Sequence, residues 1–100
     1  MICALTVRKL RPGTFDQFRE AFMGPVRAGQ MPAGWRRFNM VRGVEDPDEV
    51  ICLGIFDGTA DELRASAALV GYEDQQAAIA PYVESVGADG FYEVIEELTP

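Results

Sequence analysis

The sequence predicts an α+β domain: a four-stranded antiparallel sheet with its helices on one face, in the order strand, helix, strand, strand, helix, strand. Three observations predict it. The chain repeats itself once, Gly13-Thr14-Phe15-Asp16-Gln17-Phe18-Arg19 lying over Gly58-Thr59-Ala60-Asp61-Glu62-Leu63-Arg64 with Gly, Thr, Asp and Arg shared. Each copy follows an apolar strand that begins Ile-Cys, Ile2-Cys3 and Ile51-Cys52. The length, 100 residues, accommodates one hydrophobic core and no second, so residues 1–100 form a single domain.

Each element has a local reason. Strand 1 spans about residues 2–10, and Arg11-Pro12-Gly13 turns the chain into helix 1. Thr14 with Gln17, and Thr59 with Glu62, match the capping box, in which the hydroxyl and the third-position side chain satisfy free N–H groups reciprocally. Helix 1 is expected at about 15–23, with Phe15, Phe18, Phe22 and Met23 as its buried stripe and Gly24-Pro25 as its end. Residues 25–34 read as a loop and 35–43 as strand 2. The acidic turn Glu45-Asp46-Pro47-Asp48-Glu49 leads into strand 3, about 50–56, apolar throughout and hence central. Helix 2 starts after Thr59 and carries Leu63, Ala67 and Val70. Gly71 breaks it, a further helix covers about 73–80 up to Pro81, and residues 91–98 are expected to form strand 4.

This order is the ferredoxin-like split βαβ arrangement. Right-handed crossovers place strands 1 and 3 at the centre, expected to run parallel to each other, with strands 2 and 4 at the edges. Both helices then cover one face. Strands 1 and 3 are apolar on both sides, so the bare face needs a cover, and a second copy related by twofold symmetry is the simplest one.

Composition excludes several kinds of chemistry. The chain has no histidine, which removes His-centred acid–base pairs and imidazole ligands for zinc or haem iron. Cys3 and Cys52 sit in apolar strand contexts, form no CxxC, and are expected as buried thiols. No glycine-rich phosphate loop is present. The net charge of −7 is uneven. Residues 1–43 carry eight basic residues against Asp16 and Glu20, whereas residues 44–100 carry only Arg64 against fourteen acids. The acidic total disfavours nucleic acid and anionic membranes. No apolar run reaches the ~20 residues of a membrane span, and the N-terminus is an alternating strand without a signal-peptide pattern. A cytoplasmic location is the expectation.

An N-terminal strand followed by Arg11-Pro12-Gly13-Thr14-Phe15-Asp16-Gln17-Phe18-Arg19, an acidic Asp46-Pro47-Asp48-Glu49 turn, an apolar strand ending Phe56-Asp57, and a helix opening Thr59-x-Asp61-Glu62-Leu63 resembles the antibiotic-biosynthesis-monooxygenase-like domains of the dimeric α/β barrel superfamily. The resemblance covers nearly the whole chain. It implies a homodimer whose two sheets pack into a barrel, with a cavity in each protomer between sheet and helices. Members include cofactor-independent oxygenases of polyphenolic substrates, haem-degrading oxygenases that use an Asn, a Trp and an iron-ligating His, and proteins of unknown function. The polyphenol branch places Asn, Trp, Tyr and Arg around an aromatic ligand, and Trp35, Arg37, Asn39 and Tyr92 are of those types.

Strand 2 suggests how such residues could work. Alternation puts Phe38 and Met40 under the helices and Trp35, Arg37, Asn39 and Val41 together on the other face. There Trp35 would stack on a planar ligand, Asn39 would orient it, and Arg37 would stabilise its enolate or phenolate, the catalytic pair being Arg37 and Asn39. Arg37 could instead pair with Glu93 or Glu96 across the dimer. Tyr92 is the favoured second ring donor, with Tyr72 and Tyr82 as alternatives, and Asp57 and Asp61 read as turn and helix-dipole residues. Two function classes remain open: a monooxygenase that uses no cofactor or metal on a polyphenolic or quinone-like compound, and a non-catalytic dimeric module that binds a small hydrophobic metabolite.

Overall fold

The structure, a computed structural model, describes every residue except Gln30, Pro32 and Val70, with residues 67–69 described in backbone only. Its elements are β1 (Ile2–Leu10), α1 (Phe15–Arg27), β2 (Trp35–Arg42), β3 (Glu49–Phe56), α2 (Ala60–Leu69), α3 (Tyr72–Ile79), a 3-10 turn (Ala80–Tyr82) and β4 (Val83–Glu93). The sheet order is β2-β3-β1-β4, with every pairing antiparallel. The ferredoxin-like α+β arrangement is therefore present.

The expectation that strands 1 and 3 run parallel is overturned, since Ile2 pairs with Phe56 and Lys9 with Glu49. Each helical crossover joins strands that are parallel but not adjacent, β1 to β2 and β3 to β4, and the β2–β3 hairpin reverses the direction of whatever lies between them.

Three boundaries also differ. Helix α1 runs through Gly24-Pro25 to Arg27, and the left-handed glycine that follows it is Gly29, φ 83°. Pro25 removes only one helical N–H, Ala28 N–H still donates to the Gly24 carbonyl at 3.1 Å, and Arg27 reaches back to Glu20 at 2.9 Å. Thr14 does precede α1, but no capping box forms with Gln17: its hydroxyl donates instead to the carbonyls of Arg11, at 2.7 Å, and Tyr82, at 3.4 Å. The box at Thr59 forms as expected. Glu62 N–H donates to Thr59 Oγ1 at 3.1 Å, and Thr59 N–H to Glu62 Oε1 at 3.2 Å.

The third difference is β4, which shares only residues 91–93 with the expected strand 91–98. Its position is dictated by β1, against which Ile2 faces Glu93 and Leu10 faces Val83. Residues 83–90, with Gly87 and Gly90 and few apolar side chains, carry little strand signal of their own. Gly87 lies beside Val7, where the β1–β4 register shifts.

Opposed residues on paired strands point to the same side. The helix-covered side of the sheet therefore carries Ile2, Ala4, Thr6, Arg8 and Leu10 from β1 and Val50, Cys52, Gly54 and Phe56 from β3. Its core consists of Leu10, Phe18, Phe22, Val50, Cys52 and Ile79, with Phe38, Met40 and Tyr82 packed against it. Leu63 is the buried residue of α2 among those described. Of the other apolar positions expected on that helix, the Ala67 side chain and Val70 lie outside the described residues.

The opposite side carries Cys3, Leu5, Val7, Ile51, Leu53, Ile55 and Val41, and among the described residues no helix lies over it. Among the described residues, no helix is long and apolar enough to cross a membrane.

Candidate functional site

The most unusual packing lies on the covered side of the sheet. A register shift between Trp35 and Arg37 makes Arg36 an extra residue in β2. Trp35 consequently faces Phe56 on the helix side, whereas Arg37 and Asn39 face Ile55 and Leu53 on the other. The Trp35 ring meets Phe38 edge-on at 6.2 Å and Phe56 at 5.7 Å, and its Nε1 is buried with no hydrogen-bond partner among the described residues. Gly54 has no side chain because the indole occupies that space.

Beside this ring, the central strand is imperfectly covered. Ile2, Ala4 and Thr6 stand under the helices with strands on both sides, yet are only half-buried. Small side chains at Ala4 and Thr6 thus form a low floor that solvent reaches, next to Gly54, which the indole covers. Thr6 Oγ1 donates to Asp89 Oδ1 at 3.2 Å along one margin.

Next on the same strand face is Arg8, with 4% of its surface exposed, the one charged residue in the core among those described. Its guanidinium lies 5.4 Å from the Phe22 ring centroid and 5.8 Å from that of Phe18. Nη2 donates to Gln76 Oε1 at 3.5 Å, and Nη1 is buried without a partner among the described residues. Burial pushes the neighbouring Cys52 thiol up to about 11 against the opposing pull of Arg8. The thiol therefore stays protonated near neutrality and is a poor nucleophile.

The residues expected to form a ligand site are not brought together. Trp35 is on the covered side, while Arg37, Asn39 and Val41 are exposed on the bare side. Tyr92 also faces the bare side, 47% exposed, in one row with Arg37: Arg37, Ile55, Cys3, Tyr92. Three strand spacings separate the two ends of that row, about 14 Å. Arg37 lines a hollow of about 120 Å³ with Met1, Ile55, Val94, Glu96 and Glu97. A second hollow, about 240 Å³, is lined by Phe15, Arg19, Met23, Arg27 and Met40. Tyr72 is exposed and Tyr82 packs against the core. Asp61 pairs with Arg64 at 3.1 Å. Among the described residues, no group of three or more Cys, Asp or Glu side chains is placed to hold a metal ion.

Arg8 is the residue that sequence reasoning passed over. A signal for it existed, because strict alternation from Ile2 through Ala4 to Leu10 puts a charge on the apolar face of a central strand. Trp35 was misplaced because a one-residue bulge leaves no mark in the sequence.

No protein-family model matches the chain, and no curated protein matches it in sequence. Solved structures do match it in shape. An antibiotic biosynthesis monooxygenase-like protein from Deinococcus radiodurans superposes with a TM-score of 0.81 at 14% identity, covering 100% of this chain and 98% of that one. A similar protein from Nitrosomonas europaea gives 0.80 at 14% identity, covering 96% and 100%. SnoaB, a cofactor-independent oxygenase from Streptomyces nogalater, gives 0.79 at 13% identity, covering 99% and 97%. The chain has the fold of the antibiotic biosynthesis monooxygenase-like proteins over nearly its whole length.

Proposed function

We propose that the protein is a homodimeric oxygenase that acts, without metal or flavin, on a planar and weakly acidic aromatic compound of the polyphenol or quinol kind. The ligand lies against the covered side of the sheet, beside Trp35. The observation that carries this reading is the low floor of Ala4 and Thr6, flanked over Gly54 by an indole whose Nε1 is buried and has no partner among the described residues. Buried donors without partners are rare in folded proteins, and one beside a solvent-reached apolar floor suits a ligand oxygen. The likeness to SnoaB supports the same chemistry.

Such a reaction draws its electrons from the substrate. A methylene between aromatic rings loses a proton, the carbanion reduces O₂, and the resulting hydroperoxide collapses to a carbonyl and water. The protein contributes by binding the anion and keeping bulk water away from it. The bare face with Leu5, Val7, Ile51, Leu53 and Ile55 is the surface through which two copies associate.

A second reading places the ligand on the bare side, in the hollow lined by Arg37, with Asn39 on the same strand face and Tyr92 at the far end of the row. One experiment separates the two. Anthrone- and naphthoquinol-type compounds are titrated while the fluorescence of Trp35, the single tryptophan, and oxygen uptake are followed. The proposal expects quenching and uptake with at least one compound, uptake being impaired in Trp35→Phe and both being retained in Arg37→Met and Asn39→Ala. Loss confined to the Arg37 and Asn39 variants would transfer the site to the bare face. Tight binding without uptake would make the protein a binding module, and no binding at all would overturn both readings.

A further inference from the structure

We propose that Arg8 is the anion-binding group of the covered side, and that the ligand it accepts is an aromatic carboxylate, with the acid group on the guanidinium and the ring over Thr6 and Ala4. The proposal rests on the reading that ligands occupy this side of the sheet.

The argument begins with what Arg8 lacks. A guanidinium does not deprotonate in proteins, so burial cannot be relieved by neutralisation. Buried charges are expected to be paired. The chain has sixteen acidic residues, yet its described ion pairs, Lys9–Asp46, Arg27–Glu20 and Arg64–Asp61, lie at the surface and none involves Arg8. Phe18 and Phe22 present ring faces to the cation, which steadies the charge but accepts no conventional hydrogen bond. Gln76 supplies one long contact to Nη2, the Cys52 sulfur is a weak acceptor beside the group, and Nη1 has no partner among the described residues.

Geometry then selects the ligand. The guanidinium edge is a planar fork that matches two oxygens on one carbon, the shape of a carboxylate. Ala4, Thr6 and Arg8 stand in line on one strand face, successive side chains about 7 Å apart, so an acid group at Arg8 carries an attached ring along the floor. Arg8 also connects to the reporter: Phe22 stacks on Phe38 at 5.6 Å, and Phe38 meets Trp35.

The test compares 2-naphthoate with the uncharged 2-naphthylmethanol, by Trp35 fluorescence and melting temperature, in the wild type, Arg8→Met and Arg8→Lys. The wild type is expected to bind the carboxylate at least about tenfold more tightly, the ratio that 1.4 kcal/mol supplies. Arg8→Met should lose that preference, and without ligand it should melt at or above the wild type, because an unpaired buried charge has been removed. Arg8→Lys keeps the charge without the fork and should show a reduced preference, which decides the matter if Arg8→Met does not fold. Equal affinity for the two probes, an unchanged preference in either variant, or an Arg8→Met protein that folds but melts well below the wild type would overturn the proposal. Oxygen uptake from anthrones that survives in Arg8→Met would remove Arg8 from the site while leaving the oxygenase reading intact. Arg8-dependent naphthoate binding without oxygen uptake from any compound would do the reverse.

Discussion

The indole of Trp35 fills the space that a side chain at position 54 would need. A Cβ on Gly54 would run into the Trp35 ring and lie 3.0 Å from a carbon of Phe38. This contact couples the middle of β3 to the first residue of β2 and is possible only because the bulge at Arg36 swings Trp35 to the covered side. Gly54→Ala should therefore displace the indole. A loss of about 1–3 kcal/mol is the usual cost of overpacking a core, and chemical unfolding followed by tryptophan fluorescence measures both the loss and the changed ring environment. An unaltered emission spectrum would contradict the placement of Trp35.

The two threonines that begin the helices stabilise the chain through different partners. Thr59→Ala and Glu62→Ala each remove half of a formed capping box, and the threonine change should cost about 1 kcal/mol. Thr14→Ala should also destabilise, through loss of its bonds to Arg11 and Tyr82. Gln17→Ala should leave the denaturation midpoint unchanged, since Thr14 makes no side-chain cap bond into the helix.

Charge placed on the two faces of the central strands should have opposite consequences. Val7 lies on the bare side and Cys52 in the core. Val7→Glu is expected to give a folded monomer by light scattering, with circular dichroism like that of the wild type. Cys52→Lys should unfold the chain, because a buried ammonium there stands beside the Arg8 guanidinium and displaces packed atoms. A wild type that is monomeric at micromolar concentration would remove the homodimer from the proposed function.

Stability should fall in alkali through Cys52. Burial raises its thiol to about 11 from the ordinary 9.0, so the folded state holds its proton where the unfolded state releases it. The contribution is complete below about pH 9 and declines as pH rises towards 11, by roughly 2 kcal/mol over the interval. Denaturant midpoints of the wild type and Cys52→Ala at pH 8 and pH 10.5 provide the check. The wild type should lose more than the variant between those two values.

The Lys9–Asp46 pair shows how local and distant forces combine at the edge of the sheet. The hydrogen bond from Lys9 is the main reason that the Asp46 carboxyl titrates below its usual range, and the bond to Asp46 raises Lys9 in turn. Both groups are exposed, so the pair orients the acidic turn more than it stabilises the fold. The turn residues were legible as a turn, whereas their partner on β1 was not.

Much of the architecture was determined by the sequence alone. The amphipathic stripe of α1, the capping box at Thr59, the apolar run of β3 and the Ile-Cys strand starts each rest on interactions within a few residues, so the order of elements and the helix-covered sheet could be read directly. Whatever depended on distant pairing was decided by the tertiary structure. Strand β4 lies at Val83–Glu93 because β1 offers its hydrogen-bonding edge there, although residues 91–98 carry the stronger apolar pattern. The bulge at Arg36 separates Trp35 from Arg37 and Asn39, since a shift of one residue in a strand moves a side chain to the other face. Arg8 acquires its meaning only when Phe18, Phe22 and Gln76, from helices remote in the chain, close around its guanidinium and bring no carboxylate with them.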